Sequence, residues 1–224
     1  MKSRKNGGGS PEPPPQSLTR RSFLQGAGGI AAGGLAGSNL GAEPAAAEPA
    51  APTATGEPAV PTLRGRVELE LSVNGETVSV AVEPRTTLLS ALRHHCDPPL
   101  TGTKLVCDRG NCGACTVLLD GEPVVSCLVL AADAAGREIR TVEGLAAGDE
   151  LTPLQEAFCE EDALMCGFCT PGFVMAITAC LERNPAAGLE EVKAACAGNV
   201  CRCGTYPHIF NAAHAAVRKQ RGGR

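Results

Sequence analysis

The chain has 224 residues, 20 Lys+Arg against 24 Asp+Glu, and a formal net charge of −4. An apolar fraction of 43% places most of it among globular proteins. Aromatics at 3% with no Trp exclude a stacking platform for single-stranded nucleic acid, and the acidic balance lacks the footprint of a phosphate-backbone binder.

The first 63 residues stand apart. Ala, Gly and Pro supply 32 of them, with no Cys and one aromatic, Phe23, a composition that buries too little apolar surface to offset ordering entropy. Within it Thr19-Arg20-Arg21-Ser22-Phe23-Leu24-Gln25 precedes an uncharged run from Gly26 to Ala42. Twin arginines before a weakly apolar, Gly-rich segment read as a Tat-type export signal over residues 1–47. Cleavage is expected after Ala47, with Ala42 the competing site, and the expected location is the periplasm. A retained anchor facing the periplasm is the alternative, although seven glycines plus Ser38 and Asn39 make the run a poor membrane span. Residues 48–63 read as a Pro/Ala-rich linker.

From Arg64 the pattern alternates. Val67, Leu69, Leu71 and Val73 share one face, Asn74-Gly75 follows, and Val78, Val80 and Val82 alternate again, which predicts a hairpin. Thr87 to Arg93 predicts a short helix; Thr116 to Leu119, Asp120-Gly121 and Pro123 to Leu130 predict a second hairpin; Glu138 to Val142 predicts a closing strand. Beyond Gly148 the signals are helical. Thr152-Pro153-Leu154-Gln155 is a capping-box start, Thr170-Pro171 opens a second helix, Leu189, Val192 and Cys196 suggest a third, and Pro207 opens a fourth. The class is α+β: a sheet domain over residues 64–145, a four-helix domain over 146–219 and a tail over 220–224.

All 12 cysteines lie between Cys96 and Cys203. Cys107, Cys112 and Cys115, with Cys127 twelve residues on, have the C-x4-C-x2-C…C spacing of plant-type [2Fe-2S] loops. A loop around such an anion needs inward-pointing N–H groups, and Gly110 and Gly113 permit the backbone that aims them. Zinc is the alternative, disfavoured by the four-residue gap and the distant fourth Cys. Cys127 is expected on the strand after the loop. The second set is Cys166, Cys169, Cys201 and Cys203, two close pairs beside predicted helix starts whose dipoles would favour thiolates. Spacing alone leaves a second cluster and an all-cysteine zinc site both open there. Cys180 and Cys196 fall on apolar stripes and read as buried core thiols; Cys96 and Cys159 have no evident partner. His94, His95, His208 and His214 show no ligand spacing with Cys, against a Rieske centre. No nucleophile elbow, phosphate loop or dinucleotide fingerprint is present.

Together, Cys107 to Thr116 with Cys127, then Cys166-Gly167-Phe168-Cys169-Thr170-Pro171-Gly172, then Cys201-Arg202-Cys203, closely resemble the small iron–sulfur subunit of molybdenum hydroxylases, the xanthine dehydrogenase and aldehyde oxidoreductase family. The resemblance covers about residues 64–219, and the leader makes it most similar to periplasmic aldehyde oxidoreductase small subunits. It implies a β-grasp plant-type ferredoxin domain followed by an all-α domain, each with one [2Fe-2S] cluster, and so resolves the second set in favour of iron–sulfur. It also implies an enzyme subunit that carries no catalytic residue of its own. Electrons would pass from the molybdopterin of a separate large subunit, through the second set with Cys203 nearest the pterin, to the first set and on to a flavin (FAD) subunit or a haem protein such as a cytochrome. The substrate class would be aldehydes or N-heterocycles. Met165 stands where many members have Gln, and Gly204-Thr205 reverses a common Thr-Gly order. The rival readings are a stand-alone exported ferredoxin-like carrier, which leaves the helical domain without purpose, and a secreted zinc or disulfide module, which has no use for the glycines.

Overall fold

Residues 62–222 are described by the structure, a computed structural model. The twin-arginine segment, its cleavage site and nearly all of the linker lie outside them.

β1 (Val67–Val73) and β2 (Glu76–Val82) pair antiparallel with Val73 opposite Glu76. Asn74 and Gly75 join them with φ of 54° and 83°, both positive as a type I′ turn requires. The same device, Asp120-Gly121 at 53° and 82°, joins β3 (Thr116–Leu119) to β4 (Glu122–Val125). β5 (Glu138–Arg140) lies between the hairpins, parallel to β1 and antiparallel to β3, giving the order β2-β1-β5-β3-β4. Asn74 fastens this centre: its Oδ1 accepts from the Thr141 amide at 2.8 Å and its Nδ2 donates to Thr141 Oγ1 at 3.0 Å.

α1 (Leu88–His94) starts at Thr87, whose Oγ1 accepts from the Ser90 amide. It buries Leu88, Ala91 and Leu92 against Leu71, Val80, Val117 and Ile139, so the sheet grasps the helix as the resemblance implies. Burial of each such leucine contributes about 1.5–3 kcal/mol.

The predicted strand Pro123 to Leu130 is cut short. Ser126 is fully buried, and both its amide and its hydroxyl donate to the Cys115 carbonyl, the latter at 2.7 Å. That folds the chain off the sheet into a 3-10 turn, Ser126–Leu128, and then a four-residue helix, α2 (Ala131–Ala134). Cys127 therefore sits in a turn, not on a strand. β5 likewise ends at Arg140, short of the predicted Val142, and a 3-10 turn, Val142–Gly144, follows.

The four predicted helices are α3 (Pro153–Glu160), α4 (Thr170–Arg183), α5 (Leu189–Ala195) and α6 (Tyr206–Gly222). α3 carries the complete Thr152/Gln155 capping box. α6 runs to Gly222, past the expected domain end at 219. Phe173, Ile177, Ile209 and Ala213 centre their core, and Phe173 meets Tyr206 edge to face at 5.8 Å. α4 also turns Met175 and Ala179 toward Leu118 of β3. β3 is thus buried on both faces, and the sheet and helices form one unit. Among the described residues no helix is long and apolar enough to cross a membrane.

Candidate metal centres

All twelve cysteines are free thiols. In the first set Cys115 and Cys127 are buried, at 2% and 4% exposure, while Cys107 and Cys112 are half-buried. The side chains interact as two pairs, Cys107 with Cys112 and Cys115 with Cys127. Amides surround them. The Gly110 N–H donates to Cys127 Sγ at 3.2 Å. Those of Arg109, Asn111 and Cys112 reach Cys107, and the Arg109 amide foremost, then the Cys112 side chain, holds Cys107 down to about 7. Burial, then the Cys115 side chain, pushes Cys127 up to about 11. Gly110 has φ 74° and Gly113 φ 67°, and at 110 any Cβ would strike Leu128 at 2.3 Å.

The second set is built from helix starts. Cys169 is the N-cap residue of α4, with its carbonyl accepting from the Phe173 amide. Cys201 and Cys203 lie in the loop before α6, and Cys166 lies in the turn before Cys169. Again there are two side-chain pairs, Cys166 with Cys203 and Cys169 with Cys201. The outer pair is exposed and Cys201 is buried. The Phe168 amide and the Cys203 side chain lower Cys166, whereas burial and then Cys201 push Cys169 up to about 12. Burial alone would raise Cys201, but the hydroxyl and amide of Thr205 bring it to about 7. The hydroxyl stands 3.1 Å from the sulfur.

The two sets meet at a hydrogen-bonded junction. The Val200 amide donates to the Cys112 carbonyl at 2.9 Å, and Asn199 Nδ2 donates to the Gly113 carbonyl at 3.0 Å. Packing is tight enough that a Cβ on Gly113 would lie 2.5 Å from Gly198 O, and one on Gly172 would lie 2.2 Å from Gly113 O. Sequence reasoning missed Asn199 and Val200, because nothing local marks a contact 86 residues away. Of the remaining cysteines, Cys96, Cys180 and Cys196 are buried core thiols and Cys159 is exposed. Exposed apolar residues lie beside each set in the chain: Leu105, Val106 and Leu128 near the first, Leu164, Met165, Phe168 and Val200 near the second. Of these, Met165 stands out in the sequence as a departure and Phe168 as part of the Cys166–Gly172 motif.

The donor chemistry suits a two-metal anion. Each set offers four sulfurs as two pairs with amides aimed at them, and a [2Fe-2S] group takes four thiolates, two on each iron.

Two sequence families match in tandem. The family described as "2Fe-2S iron-sulfur cluster binding domain" matches residues 71–147, and that described as "[2Fe-2S] binding domain" matches residues 141–214. The fold and sites thus define a protein with two successive [2Fe-2S]-binding domains. The nicotine 6-hydroxylase small subunit of Paenarthrobacter nicotinovorans is 53% identical over 152 residues, covering 68% of this chain and 90% of the relative. The aldehyde oxidoreductase iron-sulfur-binding subunit PaoA of Escherichia coli O157:H7 is 38% identical over 91% of this chain and 90% of its own length. A chain of quinoline 2-oxidoreductase from Pseudomonas putida 86 superposes with a TM-score of 0.66 at 42% identity, covering 70% of this chain and 98% of that one. The chain belongs to the small iron–sulfur subunits of the molybdenum hydroxylases, oxidoreductases of the xanthine dehydrogenase and aldehyde oxidoreductase family, and is an electron-transfer subunit.

Proposed function

We propose that Cys107, Cys112, Cys115 and Cys127 hold one [2Fe-2S] cluster and Cys166, Cys169, Cys201 and Cys203 the other, in domains spanning about residues 64–145 and 146–219. Each bound group would supply one reversible one-electron step. The protein's part is to seat them, dress them with amides and fix their separation through the Val200–Cys112 and Asn199–Gly113 hydrogen bonds.

The observation that carries the direction of flow is the unequal cover of the two sets. Cys166 and Cys203 lie at the surface beside exposed Met165 and Phe168, at 69% and 57% exposure. An apolar surface around exposed thiols suits a desolvated contact with a partner chain. We assign it to the molybdopterin-bearing subunit, with electrons leaving through the first set past Leu105, Val106 and Leu128 to a flavin subunit or a haem protein. Substrates would be aldehydes or N-heterocycles, bound in the partner. Purifying the chain with its co-eluting subunits and measuring molybdenum, iron and labile sulfide tests this. Iron without a molybdenum partner would favour a stand-alone carrier, and zinc in place of half the iron would remove the second cluster.

Export to the periplasm is part of the proposal. The match to PaoA covers a share of this chain that only an alignment reaching into the N-terminal segment supplies. A route that moves folded proteins also spares twelve thiols from oxidation before iron is in place. Replacing Arg20 and Arg21 by Lys should leave the assembled complex in the cytoplasm with its clusters intact. Undiminished export of that variant would refute the assignment.

A further inference from the structure

Three threonines immediately precede helices, and they do not all do the same thing. Thr87 Oγ1 accepts from the Ser90 amide and Thr152 Oγ1 from the Gln155 amide, the ordinary service of a cap residue. Thr205 precedes α6, and its carbonyl accepts from the Ile209 amide in the usual way. Its hydroxyl, however, bonds outward to Cys201 Sγ at 3.1 Å. Both residues are buried, Thr205 at 6% and Cys201 at 7% exposure.

The reversed Gly204-Thr205 order makes this contact. Residue 204 has φ 82°, a left-handed backbone that glycine takes freely and a β-branched residue does not. A threonine at 204 would be strained, and a glycine at 205 would leave the sulfur without its hydroxyl.

We propose that Thr205 is a positioning residue that acts through Cys201 to raise the reduction potential of the second cluster; this rests on the assignment of Cys201 as a ligand. A metal-bound thiolate has no proton, so Thr205 must be the donor and Sγ the acceptor. Reduction adds one electron, and so one negative charge, to the group the sulfur holds. A hydrogen bond to that sulfur is stronger in the more negative state, and it therefore favours reduction. No proton is transferred, and the hydroxyl hydrogen stays on Oγ1. The comparable donor in the first set is the backbone N–H of Gly110 on Cys127, which no side-chain change removes. Substitution can therefore retune the second set here while leaving that donor in place.

The test is a redox titration of the assembled complex followed by electron paramagnetic resonance, with both cluster signals tracked. The second-set signal is defined as the one that Cys166→Ser removes. Thr205→Val keeps the shape and loses the donor. It should lower the reduced-to-oxidised ratio of that signal at fixed potential about tenfold, ~59 mV for a one-electron couple, and leave the other signal in place. Thr205→Ser should restore the wild-type value. The deuterium shift of the second-set iron–sulfur stretches should be smaller in Val than in wild type and Ser, because only the hydroxyl donor is lost while the amide donors to Cys166 and Cys201 exchange in all three. If Val, with full iron content, leaves the potential unmoved, or if both signals shift together, the proposal is overturned. Cys201→Ser separates the layers. Loss of the second-set signal with no Val shift overturns the role of Thr205 but keeps the ligand, whereas retention of both signals overturns ligand and proposal together.

Discussion

The two thiol sets reach similar donor chemistry by opposite routes. The first takes three of its thiols from one loop whose glycines turn amides inward and the fourth, Cys127, from the 3-10 turn after β4, and its two buried thiols pack against Leu89 of α1. The second is assembled from separated segments at helix starts, with one pair of thiols left at the surface. A loop that supplies three of the four thiols covers its site, whereas two short pairs meeting at helix starts leave one pair open to a partner. The chain thus holds one covered and one displayed site.

The sharpest way to break this comparison is to remove a ligand from each side. Cys112→Ser should cost half the iron and one resonance signal while sparing the other, and Cys166→Ser should do the converse, as read by iron analysis and spectroscopy. Loss of both centres from either change would mean that the sets are not independent.

Next in size is a contrast of glycines. Gly113→Ala meets the Gly198 carbonyl at 2.5 Å and a φ of 67°, so it should cost about 3 kcal/mol, strain and overpacking together. Gly167→Ala, at φ 80° with nothing within 4 Å, should cost about 1 kcal/mol from backbone strain alone. Denaturant melts of the two variants would show whether the junction or the turn is the stiffer element. A smaller effect is expected from Thr152→Ala, which removes the threonine side-chain half of the capping box on α3 and leaves the residue 152 amide donating to Gln155. It should lower stability by about 1 kcal/mol without altering either cluster spectrum.

Much of this was readable in the residues. Two Asx-Gly turns, the capping box and the loop spacing each encode their structure within ten residues, where local geometry decides. The strand expected through Leu130 failed because the hydrogen bonds of Ser126 to Cys115 span 11 positions and override a β-favouring run. The junction was unreadable for the same reason on a larger scale. Gly204-Thr205 was visible as a departure, yet which way the hydroxyl turns depends on tertiary contact.

The smallest expected effects oppose the halves by pH. The Arg137 side chain, then the Glu138 amide, holds Asp120 below its ordinary 3.8. Its support of the sheet is full above the unfolded value and lost as pH falls through the folded one. Glu160 and then Glu156 hold Lys219 above its ordinary 10.5, so its support of α3 and α6 is full below the unfolded value and lost as pH rises through the folded one. Thermal melts across pH should therefore show Asp120→Asn flattening only the acid limb and Lys219→Met only the alkaline limb.

The Asn199–Gly113 hydrogen bond also has a consequence for biogenesis. The loop that opens the first site accepts hydrogen bonds from Asn199, 86 positions downstream of its acceptor, and from Val200, so its contacts are complete only after the helical segment has been made and has folded back. Long-range closure of this kind is slow compared with local turns, and iron delivered before it would meet a half-built loop. The junction therefore ties the finished contacts of the earlier-made loop to the folding of the later segment. A nascent chain stalled before Asn199 would not yet have those contacts.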